Sequence, residues 1–161
     1  MPSGDRGLPY IADLCRQAVR THLRAMAIES LSEKEIEVRS DWRSGDFPYR
    51  GLSVLKVSEI PADGVLGMQD VGYQVPLVAA AKQVGSAKDS PDLVGLWIYV
   101  ARKRFQNQRI PVRDDEIPGG VIKQVCKVLP YTPRVPKGLG DWDVRGLLIR
   151  FWTRESPDEG E

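Results

Sequence analysis

Two hydrophobic periods alternate along the chain, and the changes between them divide it into elements. Over residues 8–27, apolar Ile11, Leu14, Cys15, Ala18, Val19, Leu23 and Met26, with His22 among them, recur at three- and four-residue spacing. That spacing predicts a helix with one core-facing stripe. A second helical pattern follows Ser90-Pro91-Asp92 and carries Leu93, Leu96, Trp97, Val100, Ala101 and Phe105. Ser90 is suited to cap it, Pro91 to its first turn, and Asp92 to its positive end.

Elsewhere the period drops to two. Residues 35–39 alternate Ile36 and Val38 with Glu35, Glu37 and Arg39, which predicts a short edge strand. The long stretch 51–81 reads as two strands. In the first, Ser53, Leu55 and Val57 alternate with Leu52, Val54 and Lys56; in the second, Val71, Tyr73, Val75, Leu77 and Ala79 share one face while Gly72, Gln74 and Pro76 take the other. Pro76 predicts a bulge or a free edge beside it. The connection 59–70, with Pro61, Asp63-Gly64 and Gly67, reads as a long polar loop. A further strand covers 121–129, with Ile122, Cys126 and Val128 on one face. A stiff excursion follows over 130–140, built from Pro130, Pro133, Pro136, Gly138 and Gly140. The last strand, 142–153, points Leu147, Ile149 and Phe151 one way and Trp142, Val144, Leu148, Arg150 and Trp152 the other. Apolar character on both faces places it inside the sheet or under a neighbour. The expected fold class is α+β: a mostly antiparallel sheet of four to five strands with two main helices packed on it. It forms a single domain over 1–161, with loose ends at 1–7 and 156–161.

Composition narrows the partners. The chain has 161 residues, enough for a core without disulfides or metal, and 23 Lys plus Arg against 22 Asp plus Glu. With so little net charge, binding to nucleic acid must come from a local patch. Arg16, Arg20 and Arg24 line up at i, i+4 and i+8, which fits a solvated face or a contact strip for phosphate or an acidic neighbour. Arg102, Lys103, Arg104 and Arg109 gather at the second helix's negative end, where the dipole alone favours them and nucleic-acid contact is the alternative. Trp42, Phe47 and Tyr49 crowd the loop 40–50, either to cover the core or to anchor a partner. Cys15 and Cys126 lie in apolar-periodic segments and read as reduced, buried thiols of a protein made in the cytoplasm. No stretch approaches the ~20 apolar residues of a membrane span, and the N-terminus does not resemble a signal peptide.

Catalytic chemistry is not visible. His22 is the one histidine and sits on the core stripe, the cysteines have no CxxC companion, and no phosphate-loop, nucleophile-elbow or HExxH motif occurs. Asp114-Asp115-Glu116 and Asp141 with Asp143 are the acidic groups spaced to hold magnesium, but they fall in or beside loops where acids are commonplace. The expectation is a protein that is not an enzyme and has no catalytic, cofactor or metal site.

Certain pieces carry a resemblance: Phe47-Pro48 before the central strand, Gln69-Asp70-Val71-Gly72-Tyr73, Arg104-Phe105-Gln106-Asn107-Gln108-Arg109 and the closing VRGLLIRFWTRE. In this element order they resemble the tail terminator and neck (head-tail joining) proteins of long-tailed bacteriophages, over about residues 8–155. The resemblance implies a structural virion protein that assembles as a ring, expected to be a hexamer, at the head-proximal end of the tail. It would cap the tail tube, dock a head-completion or connector protein, and let DNA pass without sequence-specific binding. Under that reading the loops 59–70 and 130–141 are docking elements. The candidate interface is Trp42, Phe47, Tyr49, Val65, Leu66, Met68, Gln69, Arg134, Trp142 and Trp152. The alternative is a nucleic-acid-binding module using Arg16, Arg20, Arg24, Arg102, Lys103 and Arg109.

Overall fold

The computed structural model describes residues 11–39, 50–62, 69–82, 92–110, 126–134 and 142–155. Two helices, α1 (Ile11–Arg24) and α2 (Leu93–Phe105), pack on one face of a six-stranded sheet. The strands are β1 (Ile36–Val38), β2 (Gly51–Val54), β3 (Ser58–Ala62), β4 (Gln69–Lys82), β5 (Lys127–Tyr131) and β6 (Trp142–Glu155). Their order is β1-β2-β4-β6-β5, with β3 also on β4. All pairs are antiparallel except β1–β2, so the sheet is mixed, and it has one strand more than the sequence pattern predicts.

That extra strand is β3, which occupies the start of the segment read above as a long loop. With β3 ending at Ala62 and β4 starting at Gln69, the connection shrinks to residues 63–68. Pro61 disguised the strand. On β4, Pro76 accepts from the Leu55 N–H at 2.9 Å, which points its own backbone toward β2 and β3. Strand alternation then turns the backbone groups of Ser58, Ile60 and Ala62 toward β4 and those of Pro61 outward, where a missing N–H breaks no ladder bond. The bulge predicted beside Pro76 is present on the partner strand. Leu55, Lys56 and Val57 span the gap that Val75 and Pro76 span on β4, opposite the position where Pro76 has no donor to offer.

Side chains sort by alternation. Val71, Tyr73, Val75, Leu77 and Ala79 of β4 and Leu147, Ile149 and Phe151 of β6 meet Cys15, Val19 and Leu23 of α1 and Val94, Trp97, Ala101 and Phe105 of α2 in one core. For β4, β6 and α1 these are faces read from the sequence; on α2, Val94 and Ile98 are buried with Trp97, Ala101 and Phe105, while Leu93, Leu96 and Val100 of the predicted stripe are only half-buried. Helix α2 starts later than Ser90-Pro91 suggests: its cap is Asp92, whose Oδ1 accepts from the Gly95 N–H at 2.9 Å. Pro130 and Tyr131 belong to β5 and not to the excursion, because β5 is an edge strand and tolerates proline there.

Two arginines of the α1 line, Arg16 and Arg24, reach across to the sheet edge. Arg16 Nε donates to the Val54 carbonyl at 3.1 Å, and its Nη2 to the Arg39 carbonyl. Arg24 Nε donates to the outer carbonyl of Ile36 at 2.9 Å, and its Nη2 pairs with Glu37 Oε1 at 2.8 Å. Sequence spacing showed a charged line, but the parallel pair β1–β2 and the residue after β1 supply acceptors for it. Burial pushes the Arg16 guanidinium below its ordinary pKa, though a neighbouring Asp13 opposes the shift.

A second arginine clip ties the chain before β1 to the core. Arg50 pairs with Glu35 Oε2, donates to the Ser30 carbonyl at 3.0 Å and stacks 5.1 Å from the centre of the Trp97 ring. Trp97 in turn donates Nε1–H to the Glu29 carbonyl at 3.1 Å. Gly51 makes the approach possible. It sits at φ +128°, and a Cβ there would come 2.2 Å from the Glu35 carbonyl oxygen. Gly51→Ala should therefore lose about 2–4 kcal/mol in chemical denaturation, combining backbone strain with the clash.

Burial raises the Glu35 pKa, but hydrogen bonds from the Ser32 N–H and Arg50, together with the Arg50 charge, outweigh it and leave the carboxyl below its ordinary value. A depressed carboxyl stabilises the fold above its unfolded pKa of about 4.3, and that contribution disappears as pH falls through the lower folded value. Glu35→Gln should flatten the acid limb of a stability-against-pH curve below about pH 4.3, with its main loss of stability at neutral pH.

Candidate interaction surface

The second face of the sheet is the chemically distinctive surface. Both described helices lie on the first face, and no described helix covers the second. On it β6 places Trp142, Val144, Leu148, Arg150 and Trp152. Across the ladder, β4 contributes Pro76, Val78 and Ala80, and β5 contributes Leu129 and Tyr131. Val78, Ala80 and Leu55 form a small buried cluster of their own, against which Tyr131, Trp142 and Val144 pack. Around that cluster Trp142, Val144, Leu148, Trp152, Leu129, Tyr131 and Pro76 remain partly exposed. A face this apolar marks a binding surface when it stays open.

Two glycines shape it. Gly146 lies under Tyr131, where a Cβ would meet the ring at 2.6 Å, and Gly72 lies under Trp152, where the ring would stand 3.2 Å away. Each aromatic can lie flat over a backbone with no side chain in the way. The main polar interruption is itself satisfied: Arg150 donates to Gln74 Oε1 from Nη2 at 2.6 Å and from Nε at 3.2 Å, and its guanidinium stands 5.8 Å from the Trp152 ring. Paired in this way, Arg150 presents a largely apolar stem and a stacked plane.

The flanking edges are less receptive. At β5 the Val128 N–H is taken by Gln106 Oε1 at 2.6 Å, the Cys126 N–H by the Gln108 carbonyl at 2.8 Å, and Pro130 has no N–H on that outward side. On β1, Arg24 covers the Ile36 carbonyl, and on β3 it is Pro61 that faces outward. Such edges resist strand addition.

Trp142 and Trp152 of the sequence-derived interface do lie on this one face, about 33 Å apart along β6 at ~3.3 Å per residue. Gln69 begins β4, and Arg134 is exposed just past β5. Trp42, Phe47, Tyr49, Val65, Leu66 and Met68 lie outside the described residues. Of the basic residues, Arg16 and Arg24 are spent in the contacts described above, Arg20 is half-buried between them on α1, and Arg102, Lys103 and Arg109 are exposed at the end of α2. Leu129, Tyr131, Pro76 and Val78 were missed, because only the strand register brings them beside β6.

Titratable groups elsewhere do not converge. Asp143 lies in β6, not in a loop, and with Asp92 accepts from Arg145, at 3.3 Å in each case. Asp114, Asp115, Glu116 and Asp141 lie outside the described residues, and among the described residues no group of three metal-ligating side chains forms. His22 is half-buried, with Nδ1 2.9 Å from Arg104 Nη2. Both cysteines are buried and neither is in a disulfide among the described residues, and burial pushes the Cys126 thiol up to about 11. No helix among the described residues is long and apolar enough to cross a membrane.

No protein-family model matches the chain, and no curated protein matches it. Its sheet face is thus the main guide to what it does. Gly146→Ala should cost about 1–3 kcal/mol by forcing Tyr131 off the sheet, and Tyr131→Ala in the same chain should recover part of that loss, as read by a double-mutant cycle of denaturation midpoints.

Proposed function

We propose that this protein is a structural, ring-forming component of the neck of a long-tailed bacteriophage, a tail terminator or a close functional equivalent. The observation that carries the reading is the apolar second face of the β4–β6 ladder, with its flat aromatics and satisfied Arg150. In a ring each subunit offers one surface to a different surface of the next, so a sheet face on one copy and another surface on its neighbour suffice to close the assembly. The tail-terminator resemblance over residues 8–155 gives the reading its place: the ring stops the tail tube, meets a connector protein and leaves a lumen for DNA. Both described helices lie on one side of the sheet, and the apolar other side suits a subunit contact.

The test is assembly. Light scattering coupled to size exclusion, with electron microscopy of the same fractions, should show closed rings for the wild-type chain. Leu148→Asp places a charge in the middle of the face and should yield monomers with an unchanged far-ultraviolet circular dichroism spectrum. A wild-type protein that stays monomeric at high concentration and is missing from virions would remove the proposal.

A further inference from the structure

We infer that the C-terminal end of α2, with the turn behind it and the start of β5, is a binding surface for the phosphate backbone of a nucleic acid. The inference is independent of ring formation, since every residue it uses belongs to one copy of the chain.

Several cations elsewhere on the described surface are committed to the protein itself. Arg16 and Arg24 hold backbone carbonyls, Arg50 pairs with Glu35, Arg145 with Asp92 and Asp143, and Arg150 with Gln74. Arg102, Lys103 and Arg109 differ. All three are exposed, and among the described residues none is in an ion pair. Lys127, at the start of β5, is exposed and held by the uncharged Asn107 Oδ1 at 2.7 Å. The helix dipole favours cations only within its last turn. It accounts for Arg102 and Lys103 but not for Arg109 and Lys127, which lie beyond the helix end.

The platform is rigid. Asn107 takes φ 60° and donates its N–H to the Cys126 carbonyl at 3.0 Å, while Cys126 donates to Gln108 at 2.8 Å and Val128 to Gln106 at 2.6 Å. The turn is thereby pinned to β5. The chemistry around them is that of phosphate contacts. Arginine and lysine are joined by the exposed amides of Asn107 and Gln108, groups that bond phosphate oxygens without reading sequence. One aromatic belongs to the patch, Tyr99, 52% exposed, with Lys103 Nζ 5.8 Å from the ring centre. An acidic protein partner would call for apolar anchors at the centre of the contact, and Tyr99 is the sole large exposed hydrophobic among the described residues. A nucleic-acid backbone needs charge and donors, and a tyrosine ring suits an unstacked base.

The experiment is fluorescence anisotropy of the full chain with a short mixed-sequence duplex DNA over a salt series. Three to four phosphate contacts predict a log K against log salt slope of about −3. The variant Arg102→Gln/Lys103→Gln/Arg109→Gln should bind at least ~10-fold more weakly at low salt with a slope near −1, whereas Arg145→Gln should bind as the wild type does. All of these side chains are exposed, and matching thermal melts would establish that the variants are folded. If the triple variant melts early, the single change Lys103→Glu gives the same reading. The inference is overturned by absence of binding at low salt, by a triple variant that binds undiminished, or by poly-glutamate displacing the DNA at equal charge concentration.

Discussion

The β4–β6 ladder is the constraint on which the rest of the molecule depends. Each strand is 14 residues long and they pair antiparallel from end to end, so the two form a continuous twisted ribbon through the centre of the sheet. Because successive side chains alternate, the ribbon assigns every residue of both strands to one face or the other. Val75, Leu77, Ile149 and Phe151 are committed to the helices; Val78, Val144, Leu148 and Trp152 are then directed away from them. A slip of one residue would exchange the two sets and bury Arg150 and Gln74 in the core. Burial thus enforces the register, and the same register produces the apolar outer face.

The edges complete the picture. A central ribbon with free edges risks unplanned strand addition, and the chain answers differently on each side. Proline takes the outward position in β3 and in β5, Gln106 takes the Val128 donor, and Arg24 covers a β1 carbonyl. The bulge beside Pro76 belongs to the same strategy, since it absorbs a residue where the ladder lacks a donor. Association is thereby directed to side-chain surfaces, the arrangement a subunit with defined neighbours requires.

Charge is used with comparable economy. The chain is nearly neutral, yet its arginines play distinct parts that net charge hides. Arg16, Arg24 and Arg50 fasten α1 and the preceding turns to the sheet edge, acting through carbonyls as much as through carboxylates. Guanidinium suits this work because its planar fork carries several donors and stays charged when partly buried. Arg102, Lys103 and Arg109 have no such employment among the described residues, and a near-zero total conceals them.

Much of the fold was legible in local periodicity. The two helices, the alternation of β4 and β6, the edge strand at Ile36–Val38 and the disturbance at Pro76 all follow from spacing, because each depends on which side of a helix or strand a residue falls. The core stripe of α1 through Cys15, Val19 and Leu23 could be read directly, as could Trp142 and Trp152 on one side of the last strand. What spacing cannot carry is who lies across from whom. The parallel pairing of β1 with β2, β3 hidden behind Pro61, the carbonyls awaiting Arg16 and Arg24, and the meeting of Tyr131 with Gly146 were decided by tertiary structure. Each joins residues distant in the chain, through backbone groups that every residue possesses and no sequence pattern marks.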